Sequence, residues 1–330
     1  MKHISILIPR GHTSLVNIEG AHQIFCNVND ILSEFGKPPI FDVHLVGLSK
    51  ETKQSTGLFT VNPDVLIDDV KKTDLIIIPA IHGDHTKAVE SNKKFIPWIV
   101  SQYNDGAEVA SFCIGSFFLA ATGLLKGKKA TTHWRFVDHF KKMFPEVNVL
   151  DDKIMTEEKG IYTSGGAYSY LNLLLYLIEK HAGREIAVLI AKTFMIDINR
   201  DSQSPFIMFR GQKGHNDELI IKAQEFIENN FNNKITVEYL ASMFALSKRN
   251  LERRFKKATS NTVAEYIQRV KIEAAKMNLE KGTKNINEIM YGVGYADSKA
   301  FRNVFKKITG ITPIEYRNKY YKDSFHANYL

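Results

Sequence analysis

Two stretches about fifty residues apart carry the same set of side chains, and that set can read nucleic acid. Residues 247–257 run SKRNLERRFKK and residues 298–307 run SKAFRNVFKK. Leu251 and Phe255 stand four apart, as do Phe301 and Phe305, so each stretch forms a helix with an apolar stripe turned inward. The first helix then presents Lys248, Arg249, Asn250, Glu252, Arg253 and Lys256 outward, and the second presents Lys299, Arg302, Asn303 and Lys306. Arginine suits guanine edges, asparagine suits adenine, and glutamate accepts from the cytosine amine, while lysine more often meets phosphate. A solvated helix face accounts for either stretch alone. Two in tandem make DNA the leading ligand.

Such helices need a support helix, a tight turn and a capped start before they can enter a major groove. Between Ile235 and Arg317 these parts occur twice. Val237, Leu240, Ala241 and Phe244 repeat at i, i+3, i+4 and i+7, and so do Ile286, Ile289, Met290 and Val293. Ser247 suits the cap of the first reading helix. Gly294 supplies the second turn, with Asp297 or Ser298 as cap. Val263, Tyr266, Ile267 and Val270 predict a further helix that fixes the separation of the two motifs.

A different chemistry is suggested by Ser111-Phe112-Cys113-Ile114-Gly115, where a strand gives way to a helix. Small-x-nucleophile-x-small is the spacing of a nucleophile elbow, and a helix N-terminus there is expected to lower the thiol pKa. His82, His85 and His133 are the available bases, but no spacing in the sequence makes them converge on Cys113.

The elements around the elbow alternate. Strands are predicted at Ile4–Ile8, Phe41–Gly47, Leu75–Pro79, Glu108–Phe112 and Ile161–Ser164. Helices are predicted at Glu19–Phe35, Lys94–Tyr103, Gly115–Thr122 and Tyr168–His181. Continuous apolar strands interleaved with helices indicate a mostly parallel sheet covered on both faces. The polar stretch INRDSQSPFIMFRGQKGHND at 198–217 reads as a linker, and nearly everything beyond it is helical by period.

Charge follows the same division. From residue 216 onward there are 20 Lys and Arg against 13 Asp and Glu, a net of +7, while residues 1–215 hold 24 against 23. The positive charge therefore collects where the reading helices lie. Two cysteines, Cys26 and Cys113, support neither a disulfide framework nor a cysteine-based zinc site. The longest apolar run near a helix, LNLLLYLI at 171–178, is far short of a membrane span, and the N-terminus lacks a signal-peptide core.

Residues 216–318 closely resemble the AraC/XylS family DNA-binding domain. LSKRNLERRFKKATSNTVAEYIQRVKIEAAKMNLE matches its first reading helix and connecting helix, and IMYGVGYADSKAFRNVFKKITGITPIEYR matches the family signature. The resemblance implies two reading helices in successive major-groove segments on one duplex face. It puts the base-reading positions on Arg249, Glu252 and Arg253, then on Ser298, Lys299, Arg302 and Asn303. Ala245 departs from the family at the first turn, where a residue tolerant of left-handed backbone is common.

Residues 3–195 are similar to the ThiJ/PfpI (class I glutamine amidotransferase-like) superfamily. IPRGHTSLVNIEGAHQIF, DLIIIPA, SFCIGSFFLAATGLLKGKKATTHW and IYTSGGAYSYLNLLLYLIEKHAG carry the likeness, and the fusion resembles GlxA-like transcriptional regulators. The peptidase branch has His after the cysteine, where this chain has Ile114. The acid that approaches the cysteine in many relatives falls by alignment on Asn17, with Glu19 two residues on.

The expected architecture is therefore a three-layer α/β sandwich, flavodoxin-like, plus an all-α domain with two helix-turn-helix motifs. The expected boundaries are 1–197 for effector binding and dimerisation, 198–215 for a linker, 216–318 for DNA binding and 319–330 for a tail. The expected function is a cytoplasmic, sequence-specific transcriptional regulator without catalysis, cofactor or metal. Its expected partners are double-stranded promoter or operator DNA, a small-molecule effector held near Asn17, Glu19, His82, Cys113, Ile114 and His133, a second copy of itself, and RNA polymerase. The alternative is a thiol-dependent hydrolase or amidotransferase-like enzyme using Cys113, with an appended DNA-binding domain.

Overall fold

The computed structural model describes residues 1–198 and 200–321. The chain divides into two compact units, Met1–Gln203 and Ser204 onward.

The first unit is built on seven strands: β1 (Lys2–Ile8), β2 (Phe41–Gly47), β3 (Val65–Leu66), β4 (Leu75–Ile78), β5 (Glu108–Ser111), β6 (Met155–Glu158) and β7 (Ile161–Ser164). Their order across the sheet is β6-β7-β5-β4-β1-β2-β3, with β6 alone antiparallel to its neighbour. Seven helices follow: α1 (Leu15–Glu34), α2 (His85–Ser91), α3 (Phe95–Asn104), α4 (Gly115–Ala121), α5 (Val137–Met143), α6 (Ser169–Ala182) and α7 (Arg184–Thr193).

Alternation along the strands creates two cores. Ile4, Ile6, Ile8, Leu75 and Ile77 face α1, α6 and α7, meeting Phe25, Val28, Leu173, Leu174 and Ile190. Leu7, Ile76 and Ile78 face the other layer, meeting Phe95, Ile99, Phe117, Phe118 and Phe140. This is the expected three-layer sandwich. Five of these elements were not expected, among them the short helices α2 and α5. Strand β3 is too short to show a period, and β6, Met-Thr-Glu-Glu, is a polar edge. Helix α7 starts immediately after Gly183, whose φ of 90° ends α6.

Below the strand C-termini, one cluster ties α6 to β5. Glu108 accepts from His181 Nε2 at 3.0 Å, from the Tyr162 hydroxyl at 2.7 Å and from Lys180 Nζ at 2.5 Å. Burial alone would raise the Glu108 carboxyl, but these donors hold it down to about 2. Its folded pKa lies below its unfolded one. Its contribution to stability is therefore present above about pH 4.3 and lost as pH falls toward 2. We expect Glu108→Gln to flatten this acid limb in urea titrations repeated from pH 6 to pH 3. An unchanged acid limb would show that the cluster does not carry it.

The second unit is helical: α8 (Glu218–Asn229), α9 (Val237–Met243), α10 (Lys248–Thr259), α11 (Val263–Lys281), α12 (Ile286–Gly292), α13 (Ser298–Thr309) and α14 (Pro313–Tyr320). It has two small cores, and α11 serves both. Val263, Tyr266, Ile267 and Val270 pack with Leu240, Leu251 and Phe255, whereas Ile272, Ala275 and Leu279 pack with Ile289, Phe301, Phe305 and Tyr316. At 1.5 Å per residue this helix is a rod of roughly 28 Å.

The segment expected to be a linker is not loose. Residues up to Gln203 are bonded into the first unit, and Phe209 packs on the core around Tyr266 in the second. Lys319 and Tyr320, expected in the tail, belong to α14; the tail from 322 lies outside the described residues.

Candidate functional site

The two reading helices are set up by equivalent residues. Ser247, in extended backbone, accepts from the Asn250 N–H at 3.3 Å and starts α10. Asp297 accepts from the Ala300 N–H at 2.5 Å and starts α13, so Asp297 caps and Ser298 is the first helical residue. Leu251 and Phe255, like Phe301 and Phe305, are fully buried, and Thr259 and Thr309 each donate back to the carbonyl four residues earlier at 2.8 Å. Every buried anchor of α10 recurs in α13 at an offset of 50 positions.

The opposite faces are open. Lys248, Arg249, Glu252 and Arg253 are exposed and Asn250 half-buried; Lys299, Arg302 and Asn303 are exposed and Ser298 half-buried. Two of these side chains are already held. Lys248 Nζ donates to Glu238 at 2.6 Å, and Arg253 Nη2 donates to Asn250 Oδ1 at 3.1 Å. Arg249 and Arg302 have no ion-pair partner among the described residues.

Two basic residues prove structural, and the sequence reading missed both. Arg254 grips Asp217 through Nε at 2.9 Å and Nη2 at 2.5 Å. Asp217 also caps α8 by accepting from the Ile220 N–H, so this fork fixes α10 against α8. Lys271 is 7% exposed, and its Nζ donates to Val293 O at 3.0 Å, Gly294 O at 3.2 Å and Asn233 O at 3.4 Å. It joins α11 to the second turn and to the loop before α9. The available signal was a lysine one residue beyond the apolar run ending at Val270.

The turns differ by one residue. Ala245 has φ 52° two residues before its cap, and Gly294 has φ 76° three residues before its own, with Ala296 extra. A Cβ on Gly294 would stand 2.5 Å from Asn232 O, so only glycine fits. Ala245 has the left-handed backbone expected at that turn, at a strain of roughly 1–2 kcal/mol.

In the first unit Cys113 sits on the elbow, with φ 54° between β5 and α4. Gly115 is required: a Cβ there would lie 2.6 Å from Pro79 O. The Cys113 N–H donates to Ser164 Oγ at 3.2 Å. The expected lowering of the thiol pKa is overturned. The residue is 5% exposed, and burial pushes its pKa up to about 12, outweighing the helix start.

The other candidates do not gather on the sulfur. His133 Nδ1 accepts from the Arg135 N–H at 3.1 Å, and burial keeps the ring neutral. His82 is exposed beside His12, whereas His85 is buried in a stack 3.8 Å from Phe117. Asn17 is buried and its Oδ1 accepts from the Ala80 N–H at 3.1 Å, which fastens the start of α1 to the end of β4. Glu19 is exposed and Ile114 is 2% exposed. The Ile114 backbone N–H faces the Cys113 sulfur, and none of His82, His85 and His133 is hydrogen-bonded to it.

A residue the sequence reading gave to the linker closes the wall beside His133. Gln203 is 2% exposed; its Oε1 accepts from the N–H of Trp134 at 3.2 Å and of Gly166 at 3.1 Å. Its Nε2 donates to Thr132 O and Lys153 O, both at 3.0 Å. A cavity of about 270 Å³ opens elsewhere in this unit, lined by Met155, Leu175, Arg184, Ile198 and Arg200 among others.

Two families match the chain in the order of its units. The DJ-1/PfpI family matches residues 32–180 and a helix-turn-helix domain family matches residues 240–319. The HTH-type transcriptional regulator GbdR of Pseudomonas aeruginosa is 23% identical over 275 residues, 83% of this chain and 74% of its own length. That single alignment spans both units. The chain joins a DJ-1/PfpI domain to an AraC-type helix-turn-helix domain, and it is similar over both to transcriptional regulators built this way. Across curated regulators of this AraC type, the matched region covers 65% to 77% of their length. The isonitrile hydratase of Pseudomonas putida is 30% identical over 154 residues, 46% of this chain and 64% of that enzyme. The crystal structure of an AraC family transcriptional regulator from Pseudomonas putida shares the fold. It has a TM-score of 0.50 and 13% identity, covering 59% of this chain and all of that one.

Proposed function

We propose that this chain is a one-component transcriptional regulator. In this reading α10 and α13 read base edges of double-stranded operator DNA, and the DJ-1/PfpI unit takes up a small effector. The observation that carries it is the pair of capped helices with matched buried anchors and exposed Arg249, Glu252, Arg253, Lys299, Arg302 and Asn303. Side chains of these types on a rigid helix face suit major-groove recognition, and Lys248 and Ser298 at the helix starts suit the phosphates beside it. No helix among the described residues is long and apolar enough to cross a membrane, and we place the protein in the cytoplasm. We assign it a homodimeric state and contact with RNA polymerase by its likeness to the family.

Catalysis is not part of this reading. A thiol with a pKa of about 12 is ionised at pH 7 in roughly one molecule in 100,000, and neither His82, His85 nor His133 is bonded to it. Cys113 and Ile114 serve instead as buried wall, with Asn17 and His133 near the strand ends where α/β folds take ligands. The cavity beside Met155 and Arg200 supports a second effector position, because the segment that leads out of this unit lines it.

The test is competition by random-sequence DNA at physiological salt against a duplex selected by the full chain. Specific binding survives such competitor, whereas purely phosphate-driven binding does not. Loss of all binding to the competitor would reduce the protein to a non-specific binder. Amide or isonitrile turnover by the wild type that Cys113→Ala lacks would establish the enzyme reading instead.

A further inference from the structure

Within the first unit, β1 and β2 bring two imidazoles and a carboxylate together on one face of the sheet. His3 is the register partner of Asp42, and His44 lies two residues along β2 on the same face. One donor atom from each lies within 4.8 Å of the others. Around a tetrahedral ion with bonds of 2.0–2.2 Å, donors stand roughly 3.3 Å apart, so the three need to close by little more than an ångström.

The surroundings fit ligation better than an incidental cluster. The rings of His3 and His44 lie side by side, 4.7 Å apart at an angle of 17°. His3 Nδ1 stands 3.1 Å from Thr73 Oγ1, whose own proton goes to His3 O at 3.1 Å and which accepts from Ser5 Oγ at 3.0 Å, so the bond is made with Nδ1 as the donor. With Nδ1 carrying the proton, His3 Nε2 keeps its lone pair. A ring nitrogen held by an oxygen so that the other can bind metal is the usual outer-shell arrangement of a histidine ligand. His44 Nε2 already stands 2.9 Å from Asp42 Oδ1, a spacing two ligands of one ion can adopt. Asp74 adds a second carboxylate nearby, accepting from the His3 N–H at 2.8 Å. Among the described residues neither Asp42 nor Asp74 pairs with a Lys or Arg.

We propose that His3, Asp42 and His44 form a binding site for a divalent late first-row metal ion such as Zn²⁺, with water completing its coordination. Imidazole nitrogen and one carboxylate are the donor set such ions favour over Mg²⁺ or Ca²⁺. Because the ligands lie on adjacent, fully paired strands, the site is largely preformed. It shares no residue with the elbow, so it gives the first unit a second input.

The test uses untagged full-length protein stripped with chelator and titrated calorimetrically with Zn²⁺, with Co²⁺ absorption as the report on coordination. The wild type should bind one ion per chain and show a tetrahedral cobalt spectrum. Asp42→Asn, at a half-exposed position that should fold normally, is expected to weaken binding at least tenfold. The His3→Gln/His44→Gln double variant should lose it. Thr73→Val should also weaken binding about tenfold through the orientation of His3 alone. Failure of the wild type to bind stoichiometrically, or undiminished binding by a folded double variant, would overturn the proposal.

Discussion

A chain carrying both Arg253→Ala and Arg302→Ala is expected to lose about 2–6 kcal/mol of specific DNA binding, roughly 30-fold to 25,000-fold in Kd. Each arginine sits on a reading helix anchored in its own core, Phe255 in one and Phe301 with Phe305 in the other. With no shared partner, their effects should add. Arg302 is unpaired and therefore free to meet a base, whereas Arg253 must first leave Asn250 Oδ1. The single variants should consequently differ, with the Arg302 change the larger of the two. Anisotropy titrations on the selected duplex and on single-base variants, at one fixed salt concentration, check this. Each single variant should relax preference at one base position. A loss that is uniform across sequences, with a shallower salt dependence, would instead make these arginines phosphate contacts.

Lys271→Met should remove about 2–4 kcal/mol from the stability of the helical unit. The methionine matches the length of the buried stem but leaves the carbonyls of Asn233, Val293 and Gly294 without their shared donor in a site that is 7% exposed. Two of those carbonyls belong to the second turn, so α13 should lose its fixed entry angle before the unit unfolds. Urea unfolding followed by far-ultraviolet circular dichroism measures the first effect. The second appears as weaker DNA binding under conditions where the variant is still folded. A variant as stable as the wild type would mean that water takes over those carbonyls.

What could be read in the sequence was what repeats. The stripe of Leu251 and Phe255, and its echo in Phe301 and Phe305, records burial directly in residue type, as do the apolar strands β1 and β4. The caps were legible because Ser247 and Asp297 are among the few residues that can accept from an exposed helix start. Polar residues spent on internal bonds were not legible. Lys271, Arg254 and Gln203 look like surface or linker residues, and only the fold reveals that each serves buried backbone or a buried partner. The thiol misled for a related reason. Helix position is visible in sequence, but the depth of burial around Cys113 depends on the core it shares with Ile114, Phe117 and Phe118. The site at His3, Asp42 and His44 was hidden because its ligands are 41 residues apart and meet only through strand register.

The shared rod α11 has a consequence for regulation. Since one continuous helix supplies buried surface to both motifs, on the proposed reading the gap between the two bites on the duplex behaves like a calliper locked at one setting. An operator with one base pair inserted between the two sub-sites turns the second away by roughly 34–36°, and no bending of the rod can follow it. On the proposed reading, a signal from the α/β unit therefore has no spacing to adjust. It can decide only whether the locked jaws are offered to the promoter, which makes the response a matter of occupancy and leaves the choice of address untouched.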